Sequence, residues 1–210
     1  MPDSFIPLAE ETGVILAMGR WVLKAALEDL RKWRLIGSGK KLLLRVNLAA
    51  SELQRMDLVD YVRRVLRETG TAPEELVLEI TESAFVGGGE AETYSLRSLR
   101  ALGVGLEIDD FGTGYSSISY LRRLPVDTVK VDRTLIQDIT EDDGQLQFVS
   151  AVHGLIQAAG MEAVFEGIET AEQAERLRQL GCRSGQGYYF SRPVAAARIA
   201  EMLRDGLTLP

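Results

Sequence analysis

Short apolar runs alternate with amphipathic stretches along almost the whole chain. Six runs have the length and composition of strands, at Leu42–Asn47, Leu76–Ile80, Val104–Asp109, Thr128–Asp132, Met161–Glu166 and Gly185–Phe190. Helical spacing is found at Val14–Leu35, Leu58–Glu68, Glu90–Leu102, Gln145–Ala159, Ala171–Leu180 and Val194–Leu203. A further short helix, capped by Asp3 or Ser4, is expected to run to Glu11. Strands that alternate with helices form βαβ units with a parallel sheet, so we predict an α/β fold.

Every strand-like run ends on polar side chains. They are Asn47, Glu79, Asp109 with Asp110, Lys130 with Asp132, Glu166 and Gln186. Capping and turns favour Asp and Asn, but capping hardly explains six such ends in register. In (β/α)₈ barrels, catalytic groups come from the carboxyl ends of several strands and converge at one face. We therefore predict an incomplete TIM-like (β/α) barrel of about six parallel strands, formed by a single domain over residues 1–210.

Composition narrows the range of functions. The 210 residues are 46% hydrophobic and 26% charged, with a net charge of −7, which argues against binding to duplex nucleic acid. Cys182 and His153 are the single cysteine and the single histidine, so Cys-rich and His-based zinc sites are excluded. No apolar run approaches the length of a membrane-spanning segment, and we expect a soluble, cytoplasmic protein.

The polar strand ends are embedded in longer motifs. These are Val46–Leu48, Glu79–Ser83, Asp109–Ser117, Val129–Asp132, Glu166–Thr170 and Gln186–Tyr188, preceded by Ser4–Glu10. Together they resemble EAL-domain proteins, which are bacterial cyclic-di-GMP phosphodiesterases and their degenerate relatives. The resemblance covers nearly the whole chain. It implies a TIM-like barrel that hydrolyses one phosphodiester bond of cyclic-di-GMP to give linear pGpG, with Mg²⁺ or Mn²⁺ in a two-metal site.

The resemblance also implies roles for individual residues. Metal ligands are expected at Asn47, Glu79, Asp109, Asp110 and Glu166. Lys130 is expected beside the attacking water, and it is grouped with Glu166 and Asp110 as catalytic. Asp132 and Gln186 are expected near the substrate, and Glu82 is expected to anchor the Asp-Asp-Phe-Gly loop. The chemistry is consistent with this assignment, because hard divalent cations prefer oxygen ligands and the set contains no sulfur or imidazole.

The family's name-giving Glu-Ala-Leu motif does not occur in the 210 residues, and neither does the strand that precedes it in the family. Its glutamate is a metal ligand in that family, so we expect turnover by this chain alone to be weak or nil. The alternative function is a regulatory module that binds cyclic-di-GMP or a partner without cleaving it. A truncated fragment and a natural short form both explain the missing motif.

A barrel that lacks two strands has two open edges, at Leu42–Asn47 and at Gly185–Phe190. Exposed strand edges invite pairing with another chain. We therefore expect a homodimer, or completion of the barrel by a segment outside this sequence. Sensor or GGDEF-type domains upstream would also be compatible with the resemblance.

Strand parity predicts one more contact. Side chains two residues apart on a strand share a face, so Arg45 lies below Asn47 and Glu107 lies below Asp109. Alternate strands of a barrel supply one interior layer. We expect a buried Arg45–Glu107 ion pair beneath the metal site, because either charge alone in the interior would be costly. The alternative is that one of the two residues reaches solvent through the incomplete wall.

Overall fold

Six parallel strands form one sheet in the computed structural model, which describes residues 2–36, 42–85, 89–113, 121 and 124–206. The strands are β1 (Leu44–Asn47), β2 (Leu76–Thr81), β3 (Gly105–Phe111), β4 (Thr128–Val131), β5 (Glu162–Phe165) and β6 (Ser184–Gly185). Their order in the sheet is their order in the chain, and the sheet curls into a half-barrel. The predicted fold class is therefore confirmed.

Helices precede and connect the strands. In the described part of the chain they are α1 (Pro2–Glu11), α2 (Val14–Ile36), α3 (Ala50–Leu53), α4 (Leu58–Thr69), α5 (Glu82–Phe85), α6 (Glu90–Leu102), α7 (Asp143–Ala158), α8 (Ala171–Gln179) and α9 (Ala196–Asp205). Short 3₁₀ turns lie at Pro73–Glu75 and Arg133–Leu135. None of these helices is both long and apolar enough to cross a bilayer.

Most predicted elements are confirmed within two or three residues, with clear exceptions. Helix α1 already begins at Pro2, so Asp3 and Ser4 lie inside it instead of capping it. Helices α3 and α5 were not predicted, because a single helical turn has no measurable periodicity. The segment Gly114–Ser117 of the Asp109–Ser117 motif lies outside the described residues.

The last strand is much shorter than expected. The predicted strand Gly185–Phe190 was wrong over most of its length, since β6 ends at Gly185 and a turn covers 188–190. The segment after Gly185 turns beside Ile168 and is held there by two backbone hydrogen bonds. Ile168 N–H donates to the Gln186 carbonyl (3.1 Å), and the Ile168 carbonyl accepts from Tyr189 N–H (3.0 Å). The apolar and aromatic residues after Gly185 therefore form a packed turn, and their hydrophobic pattern mimics a strand.

The two faces of the sheet differ in character. Residues on the helix side, such as Leu78, Ile80 and Ile108, are at most 1% exposed and form an apolar core with the helices. On the opposite side the strands carry Glu79 and Lys130, which are also buried. The fold thus confines charge to the inside of the curl, where the strand ends converge.

After β6, the backbone at Gly187 lies very close to the backbone at Ile168. A Cβ at this position would lie 2.0 Å from the Ile168 carbonyl oxygen and 2.3 Å from the Ile168 nitrogen. We expect Gly187→Ala to lower the free energy of unfolding by about 2–3 kcal/mol, measured by urea denaturation, because backbone must move to admit the methyl group. The control is Gly154→Ala in α7, where nothing lies within 4 Å. It should stabilise by roughly 0.5–1 kcal/mol, and equal effects of the two substitutions would contradict the close approach.

Glu52 in α3 is a buried carboxylate outside the cluster of strand ends. It is 3% exposed, and a Cβ on Gly19 of α2 would lie 2.6 Å from its Oε2. Burial raises the pKa of Glu52, although contact with the Ala49 backbone and the charge of Arg20 act in the opposite direction. The folded chain therefore holds the Glu52 proton more tightly than the unfolded chain does, and stability falls as the pH rises above the ordinary carboxyl pKa of about 4.3.

We expect Glu52→Gln to raise the free energy of unfolding at pH 7, because the amide never ionises. The advantage should shrink as the pH falls towards 4, where Glu52 is protonated in both states. Urea denaturation at pH 4 to 8 measures this dependence. The exposed Glu28→Gln is the control and should change stability by no more than about 0.5 kcal/mol. A Glu52→Gln effect that is the same at every pH would rule out ionisation as its cause.

Candidate active site

Lys130 on β4 is the centre of the charged cluster inside the sheet. Its Nζ lies 2.8 Å from Asp109 Oδ1, 2.9 Å from Glu166 Oε1 and 3.1 Å from Glu79 Oε1. The lysine side chain is only 4% exposed. These residues come from β2, β3 and β4 and from the position directly after β5, as expected for parallel strands whose carboxyl ends meet.

An irregularity in β3 adds a second aspartate to the cluster. Ile108 pairs with Val129 and Phe111 with Val131, so two residues of β3 face one residue of β4. The extra residue is accommodated by Asp110, whose φ of +56° is in the left-handed region that non-glycine residues rarely adopt. Successive side chains of a regular strand point to opposite faces. The bulge instead brings Asp110 next to Asp109.

The result is a group of oxygen donors that suits a hard cation. Carboxylate oxygens of Asp109, Asp110 and Glu166 all lie within 4.8 Å of one another. Glu79 joins this group through Lys130, and Asn47 lies on β1 opposite Glu79 in the strand register. Carboxylate and amide oxygens are the ligands that Mg²⁺ and Mn²⁺ prefer, so the donor set fits the expected ions.

Burial and mutual repulsion shift the titration of these carboxylates. Burial raises the pKa of Glu79 and of Glu166, against the opposing effect of Lys130. Burial, together with the negative charges of Asp109 and Asp132, also raises the pKa of Asp110. Carboxylates with raised pKa values accept protons more readily near neutral pH than free carboxylates do.

The pKa of Lys130 is raised, whereas the pKa of a lysine buried among apolar groups is lowered. Burial alone would lower its pKa, but hydrogen bonds to Asp109 and Glu166 and the charge of Glu79 raise the pKa above its ordinary value. Lys130 therefore remains an ammonium group in this arrangement. It can donate hydrogen bonds and supply positive charge to the carboxylates around it.

Glu82 contacts the loop that follows the two aspartates. Its Oε2 accepts a hydrogen bond from Gly112 N–H (3.1 Å), and its side chain lies buried at the start of α5. Gly112 has a φ of +105°, and a Cβ there would lie 2.5 Å from Leu135 Cδ1. The contact depends on the tight turn that glycine permits, and the role of Glu82 as loop anchor stays a prediction.

Asp132 follows β4 and Gln186 follows β6, and neither has an ion pair or hydrogen bond with Lys130 among the described contacts. Asp132 Oδ1 accepts from Thr134 N–H (2.9 Å) and from Thr134 Oγ1 (2.5 Å), so it caps the Arg133–Leu135 turn. Gln186 is exposed beyond β6. Within the described residues, neither side chain hydrogen-bonds to the Lys130 cluster, and their roles at the substrate stay predictions.

The ion pair inferred from strand parity is confirmed. Arg45 Nε lies 2.9 Å from Glu107 Oε2, and Arg45 Nη2 lies 3.0 Å from Glu107 Oε1, which is a bidentate pair. The Glu107 side chain is 3% exposed and the Arg45 side chain 35% exposed. The predicted pair therefore forms, but only Glu107 is buried, because Arg45 lies beside the open edge of β1 and is exposed to solvent.

Comparison with known proteins identifies related sequences. The model of the EAL domain family matches residues 1–193. The cyclic di-GMP phosphodiesterase NbdA of Pseudomonas aeruginosa is 45% identical over 203 residues, which are 97% of this chain and 26% of that protein. The bifunctional diguanylate cyclase/cyclic di-GMP phosphodiesterase MucR of the same organism is 42% identical over 94% of this chain and 29% of its own length. The chain thus spans less than a third of either relative.

Solved structures show the same architecture. The MucR phosphodiesterase in complex with c-di-GMP superimposes with a TM-score of 0.87 at 42% identity, covering 95% of this chain and 80% of that one. The EAL enzyme Bd1971 with cAMP and cyclic-di-GMP bound superimposes with a TM-score of 0.91 at 30% identity, covering 97% of this chain and 56% of that one. The sheet and its connections are therefore those of solved EAL domains.

We expect Lys130→Met to destabilise the cation-free chain by about 3 kcal/mol in urea denaturation, because buried carboxylates lose the positive charge that they share. Added Mg²⁺ should recover part of the loss by supplying that charge. The control is Lys24→Met, since Lys24 Nζ lies 3.8 Å from Glu68 Oε2 and both side chains are about half exposed. That change should cost less than about 1 kcal/mol. Similar losses in the two variants would contradict a central role of Lys130 in the cluster.

Proposed function

The chain belongs to the EAL domain family, and on that basis we propose that residues 1–210 are one EAL-type domain that hydrolyses cyclic-di-GMP. The observation that carries the proposal is the cluster of Lys130 with Glu79, Asp109 and Glu166, joined by Asp110 at the bulge. NbdA and MucR, which are named as cyclic di-GMP phosphodiesterases, support the choice of substrate.

Asp109, Asp110 and Glu166 would hold Mg²⁺ or Mn²⁺, together with Glu79 and Asn47. Such cations, when bound, lower the pKa of water and offset the negative charge of a phosphodiester. The residues present suit this role, because all of them offer oxygen atoms at the same end of the sheet.

The remaining steps fall to the side chains themselves. Lys130 would donate hydrogen bonds to the attacking water or to a phosphate oxygen, from its position between Asp109 and Glu166. Glu166 and Asp110 would contribute to the reaction as cation ligands beside Lys130. Addition of water across one of the two phosphodiester bonds, with hydroxide going to phosphorus and a proton to the leaving sugar oxygen, gives linear pGpG.

We further propose that the 210 residues by themselves hydrolyse cyclic-di-GMP slowly or not at all. They do not contain the Glu-Ala-Leu motif, and Glu79, Asp109, Asp110 and Glu166 leave a two-metal site one anionic ligand short of the family pattern. The same feature favours the second candidate function, a module that binds cyclic-di-GMP or a partner without cleaving it.

The proposed assembly follows from the open edge of the sheet. Within the described residues β1 pairs only with β2, so its other side is free to accept a strand. We propose a homodimer, or completion by a segment outside this sequence. Sensor or GGDEF-type domains also stay a proposal, in keeping with the 29% of MucR that the chain spans. A cytoplasmic location is a separate proposal.

Hydrolysis and binding can be measured separately on the purified chain. We expect slow, cation-dependent formation of pGpG from cyclic-di-GMP, followed by chromatography, and its suppression by EDTA. Lys130→Ala and Asp110→Asn should each lower the rate by about 100-fold or more, because each removes a group that contacts the reacting atoms.

Lys24→Ala, at the exposed pair with Glu68, is the matched control and should leave the rate unchanged. Calorimetric binding of cyclic-di-GMP in Ca²⁺ distinguishes the two candidate functions. Tight binding without turnover in Mg²⁺ or Mn²⁺ would support the regulatory module. If the chain neither binds nor hydrolyses cyclic-di-GMP, both candidate functions are contradicted.

A further inference from the structure

Strand β1 is the edge of the sheet that carries Asn47. It spans only Leu44–Asn47, and among the described strands it pairs with β2 alone. Val46 packs into the core on its outer face and is 6% exposed. An edge strand of this length has few backbone hydrogen bonds, so its inner face needs another attachment if Asn47 is to keep a fixed position.

The Arg45–Glu107 pair supplies that attachment. Arg45 is two residues before Asn47 and shares its face of β1, while Glu107 is two residues before Asp109 on β3. The guanidinium therefore reaches across β2, one interior layer below the carboxylate cluster, and makes two hydrogen bonds of 2.9 and 3.0 Å to Glu107. The pair connects the strand of Asn47 directly to the strand of Asp109.

The chemistry of the pair suits a positioning role. Two parallel hydrogen bonds from a planar guanidinium fix orientation as well as distance, which the single ammonium of a lysine cannot do. The charges of Arg45 and Glu107 are opposite, so the pair adds no net charge beneath the carboxylates. Its two parallel hydrogen bonds are what it contributes to the position of β1.

We propose that Arg45 and Glu107 are positioning residues that fasten β1 to β3 and thereby hold Asn47 in place for cation binding. This inference rests on the proposed function, because the position of Asn47 matters only to a site that takes a divalent cation. The pair contacts neither substrate nor reacting atoms and acts through Asn47.

The first experiment removes the whole pair with Arg45→Met/Glu107→Leu, so that no buried charge is left without a partner. Hydrogen exchange followed by mass spectrometry should show faster exchange in peptides covering 44–47 and unchanged exchange in peptides covering β4. Mn²⁺ titration followed by electron paramagnetic resonance should show affinity lowered by about tenfold, the size typical when support behind a metal ligand is lost.

The second experiment tests whether the pair acts through Asn47. Asn47→Ala should lower Mn²⁺ affinity by about tenfold in the unmutated chain, but by less than about twofold in the background without the pair. If removal of the pair only lowered the stability of the fold, Asn47→Ala would reduce Mn²⁺ affinity by the same factor with and without the pair. Independent effects, or unchanged exchange at 44–47, would overturn the proposal.

The matched control is Arg100→Met/Asp127→Leu, which removes an ion pair on the outside of the fold. It should leave Mn²⁺ affinity and exchange at 44–47 unchanged. If the double variant at Arg45 and Glu107 does not fold, Arg45→Lys keeps the charge but loses the bidentate geometry and should shift both readouts in the same direction by a smaller amount. Absence of Mn²⁺ binding in the unmutated chain would count against the proposed function, and the exchange result alone then decides whether the pair fastens β1.

Discussion

The structure depends on keeping several negative charges close together inside a protein. Glu79, Asp109 and Glu166 would repel one another, and each would lose hydration, if nothing positive lay between them. Lys130 provides that charge at hydrogen-bonding distance from all three. The lysine can reach them only because parallel strands end at the same level and present their final residues inward. The charge balance of the cluster therefore depends on the parallel arrangement of the strands.

Most strand and helix positions and the polar residues at the strand ends could be predicted, because they depend on hydrophobic periodicity and parity. The Arg45–Glu107 pair follows from the same reasoning, since a charge two residues below an inward-facing residue must also point inward and needs a partner. These features are local, or they repeat with the period of the secondary structure.

What could not be predicted depends on close contacts between distant segments. The run after Gly185 has strand-like composition, but the approach of Gly187 to Ile168 turns it away from the sheet. The left-handed backbone of Asp110 is set by how β3 meets β4, and two consecutive aspartates do not reveal it. The capping of the Arg133–Leu135 turn by Asp132 had a readable signal in the threonine two residues later.

The sheet order β1-β2-β3-β4-β5-β6 is also the order of synthesis. Each strand can therefore dock on one that has already emerged from the ribosome, and no later segment has to be inserted between two earlier ones. Each contact between neighbouring strands closes one crossover between consecutive strands, which suits stepwise co-translational assembly. Such a sheet grows by the addition of strands at its edges, so no pair of strands in its interior has to separate when another strand is added.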